Sequence, residues 1–207
     1  MDPVRQWWLR IPAVLISPRS VFAALRDDSE TDLEARAEPI LALVLLGGIG
    51  GVLATSTAGT LLDDYEFDNL LVAVWALIAG GIYGFAGYFV IGGAVYVAAR
   101  GLGGLGDYRR ARHVVALASV PIALSLFLVW PAQVAMLGSD VFRTGGEDEG
   151  TAGRTFEALE LAFALWSVAL LLLGVRAVHG WSWWRSLGVL GLVALFLAAF
   201  TYLPSVL

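Results

Sequence analysis

"LLVAVWALIAGGIYGFAGYFVIGGAVYVAA", residues 70–99, runs for thirty residues without a charged side chain. As a helix rising 1.5 Å per residue it reaches about 45 Å. The hydrocarbon of a bilayer is about 30 Å thick and is crossed by about 20 apolar residues. Lipid offers no partner to a stray charge or an open backbone group, and that is the environment in which so long an uncharged run makes sense. Nothing polar divides it into two short spans. It therefore reads as one span that tilts, projects beyond the hydrocarbon or bends near its glycine pairs.

Working outward, four more stretches qualify: 40–58, 114–137, about 156–175 and 186–205. The expected fold is all-α, a polytopic five-span transmembrane helix bundle over 40–207. An N-terminal region, 1–39, precedes it. Composition agrees: of 207 residues 58% are hydrophobic and 15% charged, with a mean hydropathy of +0.77. A soluble domain is about a quarter charged. There is no cysteine, which excludes disulfides, thiolate metal sites and cysteine nucleophiles. The net charge of −5 does not suit nucleic acid. Every basic residue is arginine, and with abundant glycine and alanine this is the composition of a GC-rich prokaryotic genome. The first apolar run, "IPAVLI" at 11–16, is too short for the core of a signal peptide and is followed by Pro18 and Arg19, so no cleaved leader is expected.

The arginines orient the spans. Arg5, Arg10, Arg19, Arg26 and Arg36 lie in 1–39; Arg100, Arg109, Arg110 and Arg112 lie in the 100–113 loop; Arg176 and Arg185 bound the 176–185 loop. The loop 59–69 and the C-terminal tail have none. The loop 138–155 has only Arg143 and Arg154, among Asp140, Glu147, Asp148 and Glu149. Alternate faces thus hold eleven and two arginines. Positive charge is retained inside. The expectation is a multi-pass protein of the cell (plasma) membrane, N-terminus cytoplasmic and C-terminus extracytoplasmic, which an odd number of spans requires. Trp181, Trp183 and Trp184 fall at the inner interface, and Trp130 and Tyr202 toward the outer one, where amphipathic rings settle.

The N-terminal stretch "DPVRQWWLRIPAVLISPRSVFAAL" mixes arginines with Trp7, Trp8, Leu9, Val14, Leu15, Val21 and Phe22. Ser17 before Pro18 is placed to open a second short helix. One or two amphipathic helices lying in the cytoplasmic interface are expected. Packing of these helices on cytosolic loops is the alternative. The following "RDDSETDLEARAE" reads as a solvated acidic connector.

Gly101-x-Gly103-x-x-Gly106 has the spacing that cradles a pyrophosphate. That use requires a preceding strand and a following helix N-terminus. Here the glycines follow a membrane helix, and no βαβ pattern occurs, so no cofactor is expected. The stretch reads as a hairpin: glycines stop one helix and Asp107 caps the next. "YRRARH" then anchors the third span at an anionic leaflet.

"LGGLGDYRRARHVVALASVPIAL" together with "LLLGVRAVHGWSWWRSLGVL" resembles the Yip family of integral membrane proteins (the Yip-one domain). The resemblance adds the proline-and-aromatic stretch "SPRSVFAAL", the glycine hairpin and basic aromatic turn from Gly103 to Arg110, Pro121 inside the third span, and the signature from Gly174 to His179. It runs from about Pro18 to the end. It implies a five-span domain without catalytic residues. Eukaryotic relatives are associated with Rab-type GTPases and early secretory traffic; a prokaryotic member has no such vesicles, so that role is not carried over.

The remaining candidates are few. Ion-coupled carriers keep ionisable groups at mid-depth, where a charge costs about 2.5–3.5 kcal/mol; the middles of these five spans hold none. Glu157 and Glu160 share a helix face near the outer end of span four, either facing a hydrated cavity or simply wetted at the interface. His113 and His179 fall at cytoplasmic ends of spans three and four; two histidines without a carboxylate pattern make a poor metal site, and headgroup contact is expected, as for Arg109 and Arg110. Gly47 and Gly51, and Gly80 and Gly84, allow close helix approach. Packing of spans one and two comes first, and a homodimer interface is the alternative. Pro121 and Pro131 are expected to kink span three, with Gln133 near a freed carbonyl. The functional expectation is a non-enzymatic scaffold or organiser engaging membrane lipids, other membrane proteins or a second copy of itself. The alternative is transport, as a permease subunit or lipid-moving protein with a cavity beside the kinked third span; a hydrated cavity reaching Gln133, Glu157 or Glu160 would favour it.

Overall fold

A computed structural model of the chain describes residues 2–27, 29–104, 107–146 and 150–202, the side chains of 200–202 excepted. Gly106, Glu147, Asp148, Glu149, the 203–205 end of the fifth expected span and the side chain of Tyr202 therefore lie outside the described residues. Within them there is no strand. Eight α-helices follow one another: α1 (Pro3–Ile16), α2 (Pro18–Ala24), α3 (Glu30–Leu53), α4 (Asn69–Gly101), α5 (Tyr108–Ala118), α6 (Val120–Leu137), α7 (Thr151–His179) and α8 (Trp183–Tyr202). Two short 3₁₀ turns, Ala58–Asp63 and Gly138–Phe142, precede α4 and α7. Four segments are long and apolar enough to cross a bilayer: α3, α4, α5 with α6 through Phe142, and α7; α8 contributes a shorter apolar helix, Trp183–Ala199.

The thirty-residue uncharged run is one continuous helix of 33 residues, not two. The third expected span is two helices. Pro121 is the second residue of α6, and the chain breaks at Ser119. Proline has no N–H for the carbonyl four residues back, and its ring collides with that carbonyl. Pro131, by contrast, stays inside a helix that continues to Leu137.

The acidic connector is a correction. Residues 30–38 form the first turns of α3. Ser29 caps them: its Oγ accepts from the Asp32 N–H at 3.3 Å, and the Asp27 carboxylate accepts from the Ser29 N–H at 2.9 Å. The bond from the Ser29 N–H, with a second from the Ser29 side chain, holds the Asp27 pKa below its ordinary value. Asp32 and Arg36 then stand at i and i+4, and Arg36 is 0% exposed. Its Nη1 donates to Asp32 at 3.1 Å and to the Asp27 carbonyl at 2.9 Å. The Trp7 indole N–H of α1 donates to the same Asp32 carboxylate at 2.9 Å. A charge this deep is tolerated only when paired and hydrogen-bonded.

The described chain forms two compact units. The first comprises residues 1–40, 87–118 and 169–207; the second comprises 41–86 and 119–168. In the first unit, Trp7, Val14, Val21, Phe22 and Leu25 of the N-terminal segment are buried in protein. Trp8, Leu9 and Ile16 remain exposed, Ile16 at 85%. So α1 and α2 pack on the protein through one face and retain an apolar outer face.

The second unit is built on a close approach of α3 and α4. A Cβ on Gly48 would lie 2.1 Å from the Gly80 carbonyl oxygen, and one on Gly84 would lie 2.1 Å from that of Val44. One on Gly80 would lie 2.6 Å from the Ile49 Cα, and Gly51 faces the ring of Tyr83. Small residues let backbones touch in this way. Gly47 faces elsewhere, toward Ser119 at the head of α6. The two 3₁₀ turns are clasped together by Asp63, whose carboxylate accepts from the Thr144 N–H at 2.9 Å and from its hydroxyl. Both bonds favour the ionised form and hold the Asp63 pKa below its usual 3.8.

A methyl at Gly84 has nowhere to go, whereas one at Gly81 meets only Leu45 Cδ1 at 3.7 Å. Gly84→Ala is expected to destabilise the protein by about 1–3 kcal/mol through overpacking. Gly81→Ala is expected to leave stability unchanged or slightly raised. Thermal unfolding of both variants in the same detergent checks this; equal melting temperatures would remove the seam.

Candidate functional site

In the first unit, helix ends carry arginine and aromatic side chains. Helix α4 ends at a glycine stop. Gly103 has φ +81°, the Gly104 N–H bonds the Ala99 carbonyl at 2.8 Å, and the Gly103 N–H bonds that of Arg100 at 3.0 Å. This is the double-bond closure that follows a left-handed residue at a helix end. Gly103 and Gly104 of this stretch terminate α4, as the hairpin reading expected. Helix α7 ends the same way at Gly180, φ +67°, with the Trp181 N–H on the Arg176 carbonyl at 3.2 Å.

Arginine planes lie over rings throughout this unit. The Arg112 guanidinium lies 4.5 Å from the Tyr108 ring, 4.7 Å from Phe89 and 5.0 Å from Tyr88. Arg176 lies over Trp183 at 4.5 Å, Arg185 over Trp181 at 4.9 Å, and Arg10 over Trp7 at 4.3 Å. Arg100 donates to the Tyr96 hydroxyl at 2.6 Å. Such stacking is worth about 0.5–2 kcal/mol per pair and keeps a cation at a boundary between apolar and wet surroundings. Arg109 and Arg185 are exposed, while Arg110 is half-buried and reaches the Arg26 carbonyl at 3.5 Å. Each histidine is taken up by a ring. His113 is buried and stacks on Tyr88 at 6.5 Å; His179 stacks on Trp181 at 4.4 Å, its Nδ1 2.9 Å from the Val175 carbonyl. Among the described residues no cluster of three metal-ligating side chains occurs.

Three stretches converge at Gly174 of α7. A Cβ there would lie 2.7 Å from Val114 Cγ1 of α5 and 2.9 Å from Phe22 Cε1 of α2. Nearby, Gly104 of the hairpin faces Trp181 at 3.0 Å and His179 at 3.1 Å. The N-terminal stretch, the glycine hairpin with its basic turn, and the Gly174–His179 stretch thus form one packed assembly. Comparison with protein-family models matches the Yip1 domain over residues 13–203. The chain belongs to the Yip1 domain family. It is an integral, multi-pass membrane protein. No curated protein and no solved structure matches it. Of the family stretches, only residues 119–124, with Pro121 in the first turn of α6, fall in the second unit.

In the second unit of this Yip1 domain, a groove of about 750 Å³ is lined by Leu53 of α3, Ala73 and Leu77 of α4, and Trp130, Pro131 and Val134 of α6. Asn69 and Ser139 stand at helix ends along it. Gln133, Glu157 and Glu160 are not among its lining. Gln133 is buried, and its amide oxygen has no hydrogen-bond donor. Glu157 is exposed; Glu160 is half-buried, with one carboxylate oxygen buried and unpartnered.

Sequence reasoning missed three residues. Arg36 was counted only as loop charge, although Ser29-x-x-Asp32 and Asp32-x-x-x-Arg36 together signal a capped helix with an internal ion pair. The rings gathered on Arg112 carry a partial signal in Tyr108, one helical turn away. Arg26, whose Nε donates to the Val178 carbonyl at 3.1 Å and whose Nη2 donates to that of Ala177, carries none.

The convergence at Gly174 predicts coupling. Gly174→Ala should destabilise by about 1–3 kcal/mol, and the cost should shrink when Val114→Ala removes the nearest methyl. A double-mutant cycle of unfolding free energies is the measurement; simple additivity would mean that α5 and α7 do not share this contact.

Proposed function

We propose that this Yip1 domain is a non-enzymatic organiser of the cell membrane, engaging anionic lipid and neighbouring membrane proteins through its arginine- and ring-lined face. The observation that carries the reading is the division of charge. The first unit holds eleven of the thirteen arginines, and the second holds two arginines and ten of the eighteen acidic residues. Several of those arginines lie over aromatic rings, the composition of a helix end at a headgroup layer. Retention of positive charge inside then sets the N-terminus in the cytoplasm and the C-terminus outside. The exposed side chains of α4, among them Ile78, Ile82, Phe85 and Val97, are apolar and suited to lipid or to another membrane helix. The groove beside Pro131 favours the transport alternative, a lipid-moving protein, but among the described residues no ionisable side chain lines it to couple movement to an ion gradient.

Two measurements test the proposal. The chain has no cysteine, so single substitutions report cleanly. Asp107→Cys should be labelled only from the cytoplasmic side and Gly146→Cys only from outside; the reverse pattern defeats the orientation. Each arginine near an anionic surface contributes about 1 kcal/mol. Arg109→Gln with Arg185→Gln should therefore cut the enrichment of anionic over zwitterionic lipid in native-lipid particles by roughly thirtyfold. Lipid analysis showing no enrichment in the parent protein would overturn the lipid role.

A further inference from the structure

The groove of the second unit follows from the glycine seam. Helices that touch at one point diverge on either side of it. α3 and α4 touch where Gly48 meets Gly80 and Gly84. From Gly80 toward the start of α4 the lining side chains on that helix are Leu77, Ala76, Ala73, Val72 and Asn69, spaced along one face. The two alanines are too small to fill the opening. On the opposite wall, α6 presents Trp130, Pro131 and Val134, and the Trp130 ring stacks on Phe142 at 6.2 Å. The result is a cleft of about 750 Å³, within the range of about 300–1,000 Å³ for small-molecule sites.

Its length identifies the occupant. Along α4 the lining runs from Leu77 to Asn69, eight helical steps or about 12 Å at 1.5 Å per residue. One leaflet of hydrocarbon, half of about 30 Å, is about 15 Å deep. The cleft therefore covers most of the depth of one leaflet, is apolar along its length, and ends where polar side chains begin. Asn69 and Ser139 stand there, and the flanking stretches 58–69 and 138–146 carry Asp63, Asp64, Glu66, Asp68 and Asp140 against the single Arg143. Acidic surroundings disfavour an anionic headgroup and favour one that presents an ammonium.

We infer that this cleft holds one acyl chain of a phospholipid with an amine-bearing, zwitterionic headgroup, the chain lying between α3, α4 and α6 and the ammonium beside Asp68 and Asp140. The inference needs the chain to span a membrane and does not depend on the organiser reading, whose arginine face lies in the other unit. A second membrane helix is excluded as the occupant by size, since a helix with its side chains is about 10–12 Å across. Trp130 and Pro131 close one wall, and Ala76 and Val72 the other.

The test uses the full chain in mild detergent with mixed micelles of equal phosphatidylethanolamine and phosphatidylglycerol, read by native mass spectrometry. One retained phosphatidylethanolamine per chain is expected. Ala73→Trp, which puts an indole in the cleft, should lower that adduct at least tenfold while thermal unfolding stays cooperative. Asp140→Asn should keep an adduct but lose the preference between the two lipids. Because Ala73→Trp can itself misfold, the parent protein is also cross-linked with phosphatidylethanolamine carrying a photoreactive acyl chain. Cross-links should map to 69–77 and 130–142. Cross-links confined to the outward residues Ile78, Ile82 and Phe85, an adduct indifferent to Ala73→Trp in a folded protein, an Ala73→Trp-sensitive adduct that is phosphatidylglycerol, or cross-linked pairs of chains at the cleft would each overturn the assignment.

Discussion

Gly48, Gly80 and Gly84 place two helix backbones against each other, and the second unit is arranged around that contact. Lipid gives helices no hydrophobic reason to associate, so the seam depends on dispersion between closely fitted surfaces. Any side chain there would push a carbonyl oxygen out of a space where none is spare. Beside that contact, Ile49 and Leu53 of α3 and Ala73 and Leu77 of α4 line one cleft. The cleft lined by Ala73, Leu77 and Pro131 is thus the geometric counterpart of the seam, and α6 with its Trp130–Phe142 stack closes the far side.

The first unit solves a different problem, namely how to hold charged side chains beside apolar ones. Rings are its means: Tyr88, Phe89 and Tyr108 take Arg112, Trp181 takes Arg185, and Trp183 takes Arg176. Where a charge goes deeper, as with Arg36, it is matched by Asp32 and the Asp27 carbonyl. The stretches by which the chain resembles its family, distant in sequence, meet at Gly174. Membership in the Yip1 domain family therefore has a spatial meaning here: most of its signature describes the packing of one unit.

The fold class was legible because hydropathy acts over whole helices: an uncharged run such as 70–99 has few alternatives. Helix ends were legible where glycine announced them, as at Gly103. Element boundaries were less so. Residues 30–38 read as solvent-exposed because their charges were counted singly; the Ser29 cap and the Asp32–Arg36 spacing become visible only when the stretch is read as a helix. Pro121 announced a disturbance, but sequence could not say whether α6 would bend or start afresh. The candidate contacts were legible by type and not by position. His113 and His179 look alike in sequence, yet one is buried against Tyr88 and the other half-open against Trp181. Gln133 lies within two residues of a cleft-lining proline and still points elsewhere. Such outcomes depend on rotation about a helix axis, which neighbouring helices decide.

Arg26 fastens residues 152 positions apart, its guanidinium resting on the terminal carbonyls of α7. Those carbonyls have no partner within their own helix. During synthesis the N-terminal segment emerges long before α7 exists, so the bonds from Arg26 to α7 form only when nearly the entire chain has been made. Closure of this latch is accordingly a late step in assembly, and until then the open end of α7 and Arg26 are both accessible to insertion factors or to a neighbouring chain.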